Sequence, residues 1–119
     1  MKVQNYFEKA LSYFEKAIKI KPDYFQAYNN LGVVQNNLKQ YEMAKSSFLK
    51  AIEIYPEFTE AYSNLGKSYY DSNDTKRGEA YIITALKINP KFDQAYFNYS
   101  CFLNEQGRHT KAVNNLHKA

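Results

Sequence analysis

The chain has 119 residues, which suits one domain with a modest core and leaves no room for a second domain. Hydrophobic residues make up 45% and charged residues 24%, close to globular averages, and this argues against a disordered chain. The net charge of +4 comes from lysines scattered along all segments, so we interpret them as a solvated surface and expect no nucleic-acid partner.

Cysteine usage and hydropathy indicate the compartment. Cys101 is the only cysteine, which excludes an internal disulfide and fits a reducing environment. No apolar run approaches membrane-spanning length, and the N-terminal segment lacks the apolar core of a signal peptide. We therefore expect a cytoplasmic protein with no membrane partner.

Residues 1 to 21 predict one helix, because apolar residues recur at helical spacing while charged residues occupy the other side. The apolar residues are Phe7, Ala10, Leu11, Phe14, Ala17, Ile18 and Ile20. Pro22 ends this helix, since proline lacks an N–H donor and restricts the residue before it. Pro56 and Pro90 follow at intervals of 34 residues. We expect a new helix to begin just after each proline, with Asp23 and Glu57 near its positive end.

Two further helices follow each proline and are joined by short polar turns around residues 38–40, 71–74 and 106–108. The first helix of each pair carries Ala27, Tyr28 and Leu31, then Ala61, Tyr62 and Leu65, then Ala95, Tyr96 and Tyr99. The second carries Ala44, Phe48, Ala51 and Ile54, then Gly78, Ile82, Ala85 and Ile88, then Ala112, Leu116 and Ala119. Small residues should let the backbones approach closely, with Gly32, Gly66 and Ser100 placed against Ala44, Gly78 and Ala112.

The chain is an internal repeat of 34 residues. The stretch from Phe25 to Pro56 reappears from Thr59 to Pro90 and, in shortened form, from Asp93 to Ala119; a copy of its second half runs from Phe7 to Pro22. Such a period is typical of units that must stack on one another to bury their apolar faces. The residues Tyr28, Leu31, Gly32, Tyr41, Ala44, Phe48, Ala51 and Pro56 resemble the pattern of the tetratricopeptide repeat. The second copy matches with Tyr62, Leu65, Gly66, Tyr69, Ala85 and Pro90, and the third with Tyr96, Gly107, Ala112 and Ala119.

The resemblance implies an all-α fold, an α-solenoid of about three and a half helix-turn-helix repeats wound into a right-handed superhelix. It implies one domain over residues 1–119. We divide the domain into a partial repeat at 1–22, repeats at 23–56 and 57–90, and a truncated repeat at 91–119.

The resemblance also implies that the first helix of each repeat lines a concave groove, which receives a peptide or a partner's helix. The groove positions are Gln26, Asn29, Asn30, Val33, Asn36 and Asn37, then Glu60, Ser63, Asn64, Lys67, Tyr70 and Asp71, then Gln94, Phe97, Asn98, Cys101, Asn104 and Glu105. Asn30, Asn64 and Asn98 form a ladder of amides similar to the one in the repeat domain of O-GlcNAc transferases. The ladder either grips an extended peptide backbone or bonds between neighbouring helices.

Chaperone-binding members of the family hold the two carboxylates of a chaperone tail in a clamp of Lys, Asn, Asn, Lys and Arg. The same roles would fall here on Asn29, Val33, Asn64, Gln94 and Asn98, and only Asn64 matches. Because the three cations are missing, we do not expect a carboxylate clamp.

The leading hypothesis is a non-enzymatic interaction module or scaffold that binds an extended or helical segment of another protein. The alternatives are a substrate-recruiting segment of a larger enzyme, such as an O-GlcNAc-type glycosyltransferase, and a structural spacer that self-associates. Leu11 and Val113 near the two ends could pair copies into a homo-oligomer. We expect no catalytic residue, cofactor or metal ion, since His109 and His117 fit packing or end positions and Cys101 lacks a neighbouring base.

Overall fold

The computed structural model describes residues 3–92 and 99–100, with side chains described from residue 6 onward. These residues form the helices α1 (Val3–Ile20), α2 (Phe25–Asn37), α3 (Tyr41–Ile54), α4 (Thr59–Asp71) and α5 (Thr75–Ile88). The all-α prediction is confirmed. None of these helices combines the length and the apolar character that crossing a membrane requires.

The prolines lie between the helices. α1 ends two residues before Pro22, as predicted, but α2 begins three residues after it, and α4 begins three residues after Pro56. The prediction that a helix begins just after each proline is therefore wrong, and Asp23 and Glu57 lie outside the first helical turns. The reason is a tight turn, closed in the first case by a 3.1 Å hydrogen bond from the N–H of Tyr24 to the carbonyl three residues before it.

The helices form two layers. α1 packs on α2, α2 on α3, α3 on α4 and α4 on α5. α2 also contacts α4 directly, whereas α1, α3 and α5 do not contact one another. α2 and α4 therefore form an inner layer, and α1, α3 and α5 form an outer layer. The inner helices are the first helices of the predicted repeats.

Each hairpin has a fully buried centre at the positions predicted from helical periodicity. The buried apolar residues include Ala27, Leu31, Ala44, Phe48, Ala51, Ala61, Leu65, Ile82 and Ala85. Phe48 of α3 and Leu65 of α4 belong to the same cluster, so the core is continuous from the first hairpin to the second. Stacking buries a face that neither hairpin could cover alone.

Two glycines allow the close approach within each hairpin, but their partners differ from the prediction. A Cβ on Gly32 would lie 2.5 Å from Cε1 of Phe48, and not against Ala44. A Cβ on Gly66 would lie 2.6 Å from Cγ1 of Ile82 as well as 2.7 Å from the carbonyl oxygen of Gly78. The main contact comes four residues further along the second helix, because a large side chain of that helix packs over the glycine.

The turns inside the hairpins are closed by left-handed residues, Lys39 at φ 63° and Asn73 at φ 71°. The N–H of Gln40 donates to the carbonyl of Gln35 at 2.8 Å, and the second turn has the equivalent bond. This is the Schellman arrangement, which favours glycine at the left-handed position. Gly107 stands at the same register in the third copy.

The left-handed residue at position 39 yields a stability prediction. We expect Lys39→Gly to raise the free energy of unfolding by about 0.5 to 1 kcal/mol, because an L-residue with a Cβ is strained there and glycine is not. Urea unfolding followed by circular dichroism measures the change. Lys39→Ala, which removes the charge and keeps the Cβ, is the matched control and should give no gain. Equal behaviour of the two variants would contradict the prediction.

Candidate functional site

The open side of the inner layer carries the predicted groove residues of the first two full repeats. Gln26, Asn30, Val33, Asn37 and Lys67 are exposed, Asn36, Glu60, Tyr70 and Asp71 are half-buried, and Asn29, Ser63 and Asn64 are buried. The predictions for Gln94, Phe97, Asn98, Cys101, Asn104, Glu105, His109 and His117 lie outside the described residues. The site is therefore built here from α2 and α4.

An amide pair joins these two helices beneath the surface. Nδ2 of Asn64 donates to Oδ1 of Asn29 across 3.1 Å, with Asn29 only 2% and Asn64 only 7% exposed. A buried amide without a partner costs about 1 to 3 kcal/mol, so the pair favours one relative position of α2 and α4. Asn64 thus takes part in bonding between neighbouring helices, which was one of the two roles considered for the ladder.

A second polar network lies about two turns further along the same helices. Nδ2 of Asn36 donates to Oδ2 of Asp71 at 2.9 Å, and its Oδ1 accepts from Oγ of Ser68 at 2.8 Å. Nζ of Lys67 donates to the same oxygen of Asp71 at 2.9 Å. Both ends of the Asn36 amide are engaged and the Asp71 charge is paired with a cation. The network therefore sets the rotation of α4 against α2.

The sequence interpretation did not include Ser68 among the site residues. The signal that could have found it is spacing, since Ser68 stands four residues after Asn64 and three before Asp71. Residues at these intervals share one face of a helix. That face of α4 meets the face of α2 that carries Asn29 and Asn36.

Asn30 and Asn64 have the same register in successive repeats but different surroundings. Asn64 lies on the side of α4 that packs against α2, and it is buried. Asn30 lies on the corresponding side of α2, which has no inner helix beside it among the described residues, and it is exposed. Equal helical angle therefore does not give equal exposure. A ladder that grips a peptide stays a prediction, and Asn30 is its exposed described member.

A cleft of about 60 Å³ opens between the two inner helices. Its lining combines apolar, amide and cationic groups, namely Val33, Asn36, Asn37, Phe48, Asn64 and Lys67. This volume is about twice the share of one water molecule in the liquid, so the cleft takes part of one side chain. Around it, Val33 offers an apolar contact while Asn37 offers both a donor and an acceptor.

The outer layer has a wider groove of about 400 Å³ along α3. Nζ of Lys45 lies 4.4 Å above the ring of Tyr69, which stacks on Tyr81 with ring centroids 5.4 Å apart. Burial, and next the neighbouring Tyr69, raise the pKa of the Tyr81 phenol above its ordinary value, so this hydroxyl stays protonated at neutral pH. Lys45 also pairs with Glu42 at 2.8 Å on the helix surface, an exposed pair of little energetic weight.

The described residues hold no assembled chemistry for catalysis. No group of three His, Cys, Asp or Glu side chains among them could hold a metal ion. The polar side chains of the inner layer hydrogen-bond one another across repeats, which is an arrangement for holding a surface in shape.

Comparison with known sequence families agrees with this architecture. Models described as "Tetratricopeptide repeat" match residues 25–58, 59–92 and 81–114, and one described as "TPR repeat" matches residues 4–39. The chain belongs to the tetratricopeptide repeat family. The matches run from residue 4 to residue 114 and begin in or near the helices described above. No curated protein matches this repeat protein.

Solved structures share the repeat fold at low sequence identity. MamA 41-end from Desulfovibrio magneticus RS-1 superposes with a TM-score of 0.81 at 22% identity, over 96% of this chain and 64% of that one. A crystal structure of MamA protein gives 0.78 at 20% identity, over 94% of this chain and 61% of that one. The first TPR of Spaghetti (RPAP3), bound to the HSP90 peptide SRMEEVD, gives 0.78 at 17% identity over 87% and 82%. This chain thus spans less than two thirds of either MamA chain.

Proposed function

We propose that this tetratricopeptide repeat protein is an interaction module whose inner face binds an extended or helical segment of another protein. The observation that carries the proposal is the polar network that ties Asn36 to Ser68 and Asp71, together with the Asn29 and Asn64 pair. These bonds hold the inner helices in a fixed arrangement. A surface that is already ordered loses less conformational entropy when a partner binds.

The exposed groups of the face define the partner's chemistry. Asn30 and Asn37 offer donors and acceptors that suit a peptide backbone, and Val33, which is 37% exposed, offers one apolar contact. Lys67 is already paired with Asp71. We therefore propose a neutral segment with a small apolar side chain, and not a tail held by its carboxylates.

The RPAP3 repeat domain was solved with an HSP90 peptide, which supports peptide binding as a use of this fold. At the clamp positions of this chain only Asn64 matches, and its amide is engaged with Asn29. The absence of clamp cations among the described residues therefore favours a different class of peptide.

The test is a screen of displayed random peptides on the chain, followed by affinity measurements with two matched variants. Val33→Asp should weaken binding of selected peptides at least about tenfold, because it removes the apolar contact and places a charge near Asp71. Leu49→Asp, at a similarly exposed aliphatic on α3, should leave the affinity unchanged. Asn64 is left intact in this experiment, because its removal would leave Asn29 without its buried partner.

Unchanged affinity of the Val33→Asp protein, with its helicity shown intact by circular dichroism, would rule out binding on the inner face. Peptides that lose affinity only with Leu49→Asp would place the binding site in the outer groove. A chain that recruits substrates for a larger enzyme would use the inner face in the same way, whereas a self-associating spacer would select no peptide there.

A further inference from the structure

We infer that α1 and α2 form a second docking site, which accepts one α-helix of another protein in the position of an inner-layer helix. This inference does not rest on the peptide proposal above. It starts from the repeat register, in which Phe7, Ala10, Phe14 and Ala17 of α1 correspond to Tyr41, Ala44, Phe48 and Ala51 of α3. The inner helix α2 covers that face of α3, and α4 covers the same face of α5. None of the described helices covers it on α1.

Burial shows the open position directly. On α3, Ala44 is 0% and Phe48 is 1% exposed beneath α2. On α1, the corresponding Ala10 and Phe14 are only half-buried, although α1 packs on α2 along another face. The two helices therefore present the same side chains, and α1 lacks the helix that would seal them.

A groove of about 270 Å³ occupies this place. Its walls include Phe7, Ala10 and Phe14 from α1 and Asn30, Val34 and Asn37 from α2. An apolar wall on one side and two amides on the other are the features that an amphipathic helix requires.

The polar wall repeats the contact between the two inner helices. α4 meets α2 through Asn64 and Asp71, which bond to Asn29 and Asn36. The residues of α2 in the register of Asn64 and Asp71 are Asn30 and Asn37, and both are exposed. α2 thus offers to a helix on its open side amides placed like the groups that α4 uses.

The occupant's sequence pattern follows from the helices that fill the equivalent places. Gly32 faces Phe48, so a glycine is required opposite Phe14. The leucine before each such glycine is buried, as Leu31 and Leu65 are. The oxygen that accepts from Asn64 belongs to Asn29, two residues before Leu31. We therefore assign to this site a helix with an oxygen-bearing side chain, one variable residue, leucine and glycine in succession.

A partner protein is favoured over a second copy of this chain as the source of the helix. The described inner helices of a second copy are already packed in their own hairpins, with Leu65 at 0% exposure. Donating α2 or α4 would open a hairpin and expose that core.

The experiment uses the α2 sequence itself as the probe. A fluorescein-labelled peptide with residues 23–40, acetylated and amidated, is titrated with the full chain and followed by anisotropy. We expect saturable binding with one peptide per chain and a gain of peptide helicity. The same peptide carrying Gly32→Leu should bind at least about tenfold more weakly, because its side chain meets the ring of Phe14.

Two variants of the chain locate the binding. Ala10→Arg should weaken probe binding at least about tenfold, and Asn30→Ala, an exposed change that spares the fold, should weaken it severalfold. Leu49→Arg on the other side of the array should have no effect. Peptides selected on the inner face should still bind the Ala10→Arg chain, which separates this inference from the proposed function.

Equal affinity of the two probe peptides would overturn the inference, and so would a probe affinity that Ala10→Arg and Asn30→Ala both leave unchanged. Sedimentation over a concentration series tests the second copy. Dimers that Ala10→Arg abolishes would assign the site to another copy of this chain and would also overturn the inference. A monomer at all concentrations supports it.

Discussion

Phe48→Ala is expected to lower the free energy of unfolding by about 3 to 5 kcal/mol. The ring is 1% exposed and packs over Gly32, whose missing side chain leaves nothing to fill the space when the ring is removed. Phe48 also shares a cluster with Ala44 and Leu65. The substitution therefore loosens the joint between the two hairpins as well as the hairpin that contains it.

Urea unfolding followed by circular dichroism measures this loss. Leu49→Ala is the matched control at the next position, where the side chain is 43% exposed, and it should cost no more than about 1 kcal/mol. Because the full loss is a large fraction of a domain's stability, Phe48→Leu serves as a milder variant that stays folded. If Phe48→Ala and Leu49→Ala shift the midpoint equally, the described core is incorrect.

Gly66→Ala is expected to destabilise the chain by about 1 to 3 kcal/mol, although alanine forms helices better than glycine by about 1 kcal/mol. A Cβ at this position would lie 2.6 Å from Cγ1 of Ile82 and 2.7 Å from the carbonyl oxygen of Gly78. Side chains can rotate away, but the carbonyl belongs to the backbone of α5. The two helices must therefore separate.

The sign of this change distinguishes packing from propensity. Ala80→Gly, at an exposed position of α5, measures the propensity difference alone and should cost about 1 kcal/mol. Thermal and urea unfolding of both variants give the comparison. A Gly66→Ala chain that is more stable than the parent would show that helix propensity dominates and that α4 and α5 can adjust without cost.

The repeat period and the helical spacing of apolar residues were sufficient to predict the architecture. Prolines 34 residues apart and the alternation of Ala, Leu and aromatic positions led to the helices, the turns and the buried face of each one. These are local properties. A helix turns by the same angle at every residue, so its apolar stripe can be recognised before any neighbour is known.

The starts of α2 and α4 could not be read in this way. Proline is compatible with a first helical turn, and the acidic residue after it favoured the same assignment. In the structure a tight turn follows each proline and delays the helix by three residues. The choice between turn and helix depends on how the next hairpin packs, and no local preference contains that information.

The difference between Asn30 and Asn64 is decided by neighbours. Residues 34 apart have the same angle on their helices and the same place in the repeat, so the sequence treats them as equivalent. Asn64 is buried because α2 lies beside it, and Asn30 is exposed because none of the described helices takes the same position beside α2. Periodicity determines which way a side chain faces, and only the packed array determines what it meets there.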